Sequence, residues 1–200
     1  MMYYTRIILN PRHLKVKEDR QNAYLQHRRI ESLFPEHKRS TADVLFRWEQ
    51  QTVIVQSTVE PRFDLLPQNY TSDTKTKPPL DLGQALKPEQ WMEFRLLADT
   101  SSITKDTRQR KPRDAEKLPD WLKSRLEGAA KVDEYCAIQR GPHIPVHRHQ
   151  QQWTLKPTSF SGYLQVINPE QLAQTIAAGF GRSRAYGCGL MQIAPTRSNG

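Results

Sequence analysis

The order in which two periodicities alternate along residues 91–194 constrains the fold most. Period-2 apolar runs at 91–97, 135–139, 160–166 and 190–194 are broken by helical patterns at 119–128 and 169–178. Pro119 suits the first turn of the first helix. Asn168 can cap the second, with Pro169 at its first position and Gly179 at its end. The order strand, helix, strand, strand, helix, strand is the split βαβ pattern of a ferredoxin-like domain.

The first half reads as a degraded copy of that order. Residues 3–9 alternate and end at Asn10-Pro11. Asp19 is expected to cap a helix over residues 20–34, with Ala23, Ile30, Leu33 and Phe34 as its apolar stripe. Residues 44–48 and 52–58 read as a hairpin, and residues 61–79 as irregular chain leading into a linker. The expectation is an α+β protein of two tandem ferredoxin-like (RRM-like) domains, residues 1–84 and 85–200. With 36% apolar residues and a mean hydropathy of −0.76, each core is modest and each surface very polar.

The formal charge of +9 points to an anionic partner. The cations are unevenly placed. From residue 135 to 200 a single acid, Glu170, stands against Arg140, Arg148, Lys156, Arg182, Arg184 and Arg197. The loop 104–113 holds Lys105, Arg108, Arg110, Lys111 and Arg113 with one acid. No apolar run approaches the roughly 20 residues of a membrane span, and the opening residues lack the pattern of a signal peptide. Two cysteines, Cys136 and Cys188, are too few for a disulfide framework and read as reduced thiols of a cytoplasmic protein. A membrane-surface or architectural role carried by charge alone is disfavoured, because no amphipathic basic helix is visible.

Three groups of residues could carry chemistry. Tyr24, His27 and Arg28 are spaced i, i+3 and i+4 on one helix, so a phenol, an imidazole and a guanidinium share a face. That set suits phosphodiester cleavage by an RNA's own 2′-hydroxyl: one group removes the 2′ proton, another protonates the leaving 5′ oxygen, and a cation stabilises the transition state. A lone helical histidine is also commonly structural, and spacing alone fits both readings. The second group is Gly179-Phe180-Gly181-Arg182-Ser183-Arg184-Ala185-Tyr186-Gly187-Cys188-Gly189. Here Gly181, Gly187 and Gly189 can bring backbone N–H groups close to phosphate while Arg182 and Arg184 add charge. A helix-terminating turn explains one or two of these glycines, not all of them. The third group, His143, His147 and His149, has prolines around it and no nearby carboxylate. We therefore expect no metal site, and a polar RNA-touching hairpin instead.

The opening MYYTRIILNP, the helix motif Tyr24-x-x-His27-Arg28, the strands around Phe94 and Phe160, the Trp121-Leu122 helix and the ending GFGRSRAYGCGLMQIAP together resemble the CasE family, the CRISPR RNA endonucleases of type I-E Cascade. The resemblance implies tandem ferredoxin-like domains. It also implies cofactor-free, metal-independent cleavage of the repeat stem-loop in precursor CRISPR RNA, giving a 2′,3′-cyclic or 3′ phosphate. It implies retention on the product with the other Cascade subunits. The family's catalytic histidine falls on His27, its helix tyrosine on Tyr24 and its glycine-rich loop on residues 179–189. Some relatives carry a lysine one turn beyond the histidine; here Ser32 stands there, and Arg28 is the substitute cation. The competing expectation is a non-catalytic RNA-binding subunit of a CRISPR ribonucleoprotein.

Overall fold

The computed structural model describes residues 1–36, 43–103 and 110–196. They form two compact units. The first comprises Met1–Asp81, His143–Leu155 and Arg184–Gly187; the second comprises Leu82–Pro142, Lys156–Ser183 and Cys188–Gly200.

In the first unit, β1 (Met2–Leu9) is followed by α1 (Leu14–Gln21), α2 (Ala23–Glu31), β2 (Leu45–Glu49), β3 (Thr52–Ser57) and β4 (Thr71–Leu80). The sheet order is β2-β3-β1-β4, antiparallel throughout. This is the ferredoxin-like order, with the second helix reduced to a single turn at Phe63–Leu65. Ile7, Leu9, Val16, Ile30, Leu33, Phe34, Phe46, Val53 and Val55 form its core.

Two expectations fail here for identifiable reasons. The helix expected over 20–34 is two helices. Asn22 adopts an extended conformation, and its side chain accepts a hydrogen bond from the Tyr24 N–H at 3.0 Å, so Asn22, not Asp19, is the cap. Asp19 lies inside α1 and is buried. It accepts from Arg29 Nε at 2.9 Å and from Tyr70 Oη at 2.6 Å. The Arg29 guanidinium also stacks over the Tyr70 ring at 4.8 Å. Burial, then the Asp19 carboxylate, push the Tyr70 phenol well above its ordinary range, so it remains a donor. The irregular stretch expected at 61–79 ends in a strand, β4, paired along most of β1. Its sequence, TSDTKTKPPL, is polar and largely exposed, as suits an edge strand held by its backbone ladder. Pro78 and Pro79 fall where the register shifts between Met2 and Tyr4, so they remove no regular rung.

The second unit starts with the single turn α3 (Leu82–Ala85) and β5 (Trp91–Ala98). Two short strands follow, β6 (Ser102–Ile103) and β7 (Arg110–Lys111). Then come α4 (Leu118–Leu126), β8 (Ala130–Val132) and β9 (Ala137–Arg140). After an excursion, β12 (Thr158–Val166), α5 (Pro169–Ala178) and β13 (Met191–Pro195) complete it. The order β13-β5-β12-β8 with β9 also on β12 is again ferredoxin-like and antiparallel. Asn168 caps α5 by accepting from the Gln171 N–H at 3.0 Å, and Gly179 ends it at φ 75°. The excursion is a hairpin, β10 (Ile144–Arg148) and β11 (Gln151–Leu155), hydrogen-bonded only within itself among the described strands.

The domain division expected at residue 84 therefore differs from the observed one. The break falls after Asp81, and the hairpin joins the first unit because Val146 and Leu155 bury themselves with Ala23 of α2, beside Tyr24, Trp153 and Tyr186. Within the second unit the start of the glycine-rich segment is tied to the end of β5. The Arg182 N–H donates to the Asp99 carbonyl at 3.0 Å, and Gly189 N–H donates to the Leu97 carbonyl at 2.7 Å. A Cβ on Gly181 (φ +73°) would lie 2.6 Å from that Asp99 carbonyl oxygen, so only glycine fits.

The buried Asp99 side chain accepts from Ser183 Oγ at 2.5 Å and from the Ser101 N–H at 3.0 Å, with Arg110 at 3.8 Å. Burial opposes its ionisation, but these hydrogen bonds and the guanidinium outweigh it and hold the carboxyl below the ordinary range. A depressed folded pKa means stability that is present above the unfolded value and lost as pH falls through the folded one. Wild type should therefore exceed Asp99→Asn in urea-unfolding stability at neutral pH. The gap should close as pH drops below about 4. A gap independent of pH would show that charge at Asp99 contributes nothing.

Candidate RNA-cleavage site

The site is built on Asn22. Its Oδ1 accepts from the N–H groups of Tyr24 and His147, both at 3.0 Å, while its Nδ2 donates to the His147 carbonyl at 3.0 Å. One side chain thus starts α2 and clamps β10 against it.

Around this clamp the first unit gathers a set of rings. Arg148 lies over the Tyr24 ring at 5.8 Å, and the His149 ring is 6.2 Å from it at the hairpin turn. His27 meets the edge of Tyr186 at 6.1 Å and 78°, and Tyr186 in turn meets Trp153 at 5.9 Å and 75°. The His27 side chain is 16% exposed, and its Nε2 lies 3.3 Å from Glu31 Oε1. An imidazole that is part-covered, oriented on two sides and open on the rest is suited to exchanging a proton with a bound substrate.

Of the expected catalytic residues, Tyr24 and His27 lie on adjoining turns of α2 and each contacts an aromatic ring from outside the helix. Arg28 is exposed on the same helix, and the guanidinium placed over Tyr24 is that of Arg148. Arg184 opens the turn Arg184–Tyr186 that delivers Tyr186 and is itself exposed. Gly187 is buried with φ +81°; a Cβ there would lie 3.3 Å from the Phe46 ring.

The remaining expected contacts lie in the second unit. Lys156 and Arg182 are exposed; Gly181 and Gly189 shape the segment tied to β5. Arg110 and Lys111 form β7, with Arg110 paired to Asp99, and Arg113 is half-buried. Lys105 and Arg108 lie outside the described residues. His143, His147 and His149 are exposed along the hairpin. Among the described residues no three His, Cys, Asp or Glu side chains gather as a metal-binding cluster.

The sequence reading missed the roles of Asn22, Glu31 and Trp153. The Asn22 signal was present, a capping residue directly before Ala23-Tyr24. So was Glu31, at i+4 from His27. The alternation of Ile144, Val146, Trp153 and Leu155 was hidden by the intervening histidines and glutamines.

The sequence model of the family described as CRISPR associated protein matches residues 2–195. The chain belongs to this family. The CasE resemblance drawn from its motifs is thereby borne out. The chain is 28% identical over 216 residues to the CRISPR-associated endoribonuclease Cse3 of Thermus thermophilus, covering 97% of this chain and 100% of that one. The structure of Thermus thermophilus Cse3 bound to an RNA representing a pre-cleavage complex matches with a TM-score of 0.81 at 27% identity, over 97% of this chain and 99% of the other. The CRISPR-associated protein Cas6e of Escherichia coli shares the fold, with a TM-score of 0.72 at 20% identity over 98% and 100% of the two chains.

The Asn22 clamp is open to a direct test. Asn22→Ala should destabilise the protein by about 1–2 kcal/mol through the lost cap, and by more through the two hydrogen bonds to His147. Asn22→Asp should keep the cap and the bond from the His147 N–H but lose the donor to its carbonyl, and fall between the two. Denaturant melts of the three proteins check this order. Equal midpoints would show that the hairpin is held by its apolar contacts alone.

Proposed function

We propose that this member of the CRISPR-associated family is a metal-independent endoribonuclease that cuts precursor CRISPR RNA at the repeat stem-loop and stays with its product among the Cascade subunits. The observation that carries the reading is the part-covered His27 on the face of α2 that also presents Tyr24, beside an arginine-bearing hairpin. The endoribonuclease named among its relatives, and the RNA-bound form of that relative, support it.

The 2′-hydroxyl at the cut attacks the adjacent phosphorus as its proton leaves to a base. The P–O5′ bond breaks and the 5′ oxygen takes up a proton, giving a 2′,3′-cyclic phosphate and a 5′-hydroxyl. His27 serves one of these proton transfers, and Tyr24 orients or assists the other. Arg28 and Arg148 are the candidate cations for the phosphorane-like charge. Arg148 with Lys156 is assigned to the RNA stem, and Arg182 with Arg184 to the backbone near the cut. Arg110, Lys111 and Arg113 add phosphate contacts, as do Lys105 and Arg108. Gly181, Gly187 and Gly189 act through the shape they give the glycine-rich segment. A-form RNA offers phosphates and a shallow minor groove, which such a basic surface reads by shape. The two free thiols, Cys136 and Cys188, support a cytoplasmic location, and among the described residues no helix is long and apolar enough to cross a membrane.

His27→Ala should cut repeat RNA at less than a tenth of the wild-type single-turnover rate, since losing an acid–base group costs about 10²–10⁴ in rate. Its RNA affinity should stay within a few-fold. Tyr24→Phe should slow cleavage less. A 2′-deoxy nucleotide at the cut should stop the reaction, and EDTA should leave the rate unchanged. Cleavage of the deoxy substrate would replace 2′-hydroxyl attack with attack by water. Uncut wild-type mixtures would favour the RNA-binding subunit instead.

The assignment of Arg182 and Arg184 rests on charge and is checked by salt. The double variant Arg182→Ala/Arg184→Ala should bind the repeat hairpin more weakly. The slope of its log affinity against log salt should be shallower by roughly one unit per lost phosphate contact, as for B-DNA. Identical affinities and slopes would remove both arginines from the RNA surface.

A further inference from the structure

Glu31 has no part in the reaction as set out above, yet its carboxylate lies against His27, 3.3 Å from Oε1 to Nε2. A carboxylate oxygen can only accept, so Nε2 must carry the hydrogen. In neutral imidazole this leaves Nδ1 as the unprotonated nitrogen, and in imidazolium it leaves Nδ1–H as the free donor. Tyr24, His27 and Glu31 stand at i, i+3 and i+7, in one row along α2. The helix ends just beyond. Ser32 turns its hydroxyl back to the Arg29 carbonyl at 2.8 Å, which leaves Glu31 as the last side chain of the row.

The pair is not a freely solvated surface contact. The side chains of His27 and Glu31 are 16% and 39% exposed, and the Tyr186 ring, edge-on to the imidazole, is backed by Trp153. The charged and titratable groups around His27 come from three elements. On α2 they are Tyr24, Arg28 and Glu31. The turn Arg184–Tyr186 brings Arg184 and Tyr186. The hairpin brings Arg148 and His149 to Tyr24. The arginines oppose protonation of His27, and the Glu31 carboxylate favours it.

Resting on the function proposed above, we infer that Glu31 is a positioning residue that holds His27 in its Nε2–H tautomer, directs Nδ1 at the RNA as the proton-transfer atom and stabilises the imidazolium. The arrangement is that of a histidine oriented by a second residue that never touches substrate.

The charge and the hydrogen bond can be separated by substitution in the full chain. Glu31→Gln keeps an acceptor oxygen but loses the charge; Glu31→Ala loses both. Two-bond proton–nitrogen NMR spectra of the RNA-free protein, with His27 assigned from its loss in His27→Gln, read the tautomer and the titration directly. Wild type should show Nε2–H. Glu31→Gln should keep that tautomer, with the His27 titration moved to lower pH by roughly half a unit to one unit. Glu31→Ala should lose the tautomer preference as well. In single-turnover cleavage of repeat RNA, the His27 inflection of the pH–rate profile should move the same way. The rate should fall roughly tenfold, with Glu31→Asp recovering part of it. RNA affinity should not weaken in any variant.

A wild-type Nδ1–H tautomer overturns the inference, and so does a titration unmoved in both variants. Tighter RNA binding with an unmoved pH profile would also overturn it, making Glu31 a brake on RNA and nothing more. Full activity in His27→Ala would instead sink the proposed function, and the NMR readings would still decide the Glu31–His27 pair on their own.

Discussion

The first unit turns on one primary amide. Asn22 is the residue at which α1 stops, α2 starts and a strand from 125 residues further along the chain is hung. Each of its polar atoms is used twice or donates to a carbonyl, so no other side chain of its size could replace all three bonds. Once β10 is fixed there, Val146 and Leu155 cover Ala23, and the hairpin turn carries Arg148 and His149 to Tyr24. The far side of α2 is held by a different device. Arg29 is drawn into a buried bond to Asp19, which also takes the Tyr70 hydroxyl. A buried carboxylate is tolerated there because a guanidinium and a phenol both satisfy it. Between the hairpin in front and the ion pair behind, α2 has little freedom to roll, and His27 inherits that rigidity.

The fold was legible wherever local rules decide. Asn168, Pro169 and Gly179 mark the ends of α5 because caps act within a turn of the chain, and the observed helix stops where they say. Residues 45–57 show their hairpin through plain alternation. β4 was not legible, because an edge strand needs no apolar face and its pairing with β1 is written in backbone, not side chains. The split of the first helix was missed because Asp19 and Asn22 are both capping residues by type. Only burial distinguishes them, and burial of Asp19 depends on Tyr70, 51 residues away.

The candidate site divides along the same line. Tyr24 and His27 could be paired from spacing alone, since a helix puts i and i+3 together without outside help. That Arg148 and Tyr186 belong with them could not be seen, because nothing local joins residue 24 to 148 or residue 27 to 186. The glycine-rich segment was read for its phosphate-binding capacity, and part of its composition has a more modest origin. Gly181 and Gly187 stand where the chain runs at positive φ against a carbonyl oxygen and a phenylalanine ring. Arg182 and Arg184 are exposed and are not explained by that packing.

The hairpin's place in the chain has a consequence for the order in which the protein is made. A ribosome that has delivered residues 1–81 has released the whole first sheet and both of its helices, with Tyr24 and His27 among them. Ala23 at that moment has no Val146 or Leu155 to cover it, and His27 has no Tyr186 at its side. These partners arrive only after most of the second sheet has been synthesised, and the latest of them, Tyr186, follows α5. Contacts across such sequence distances form late, after the loop entropy between them has been overcome. A chain interrupted in translation therefore carries the histidine without its setting, and the surface assigned to RNA cutting is among the last parts of the molecule to exist.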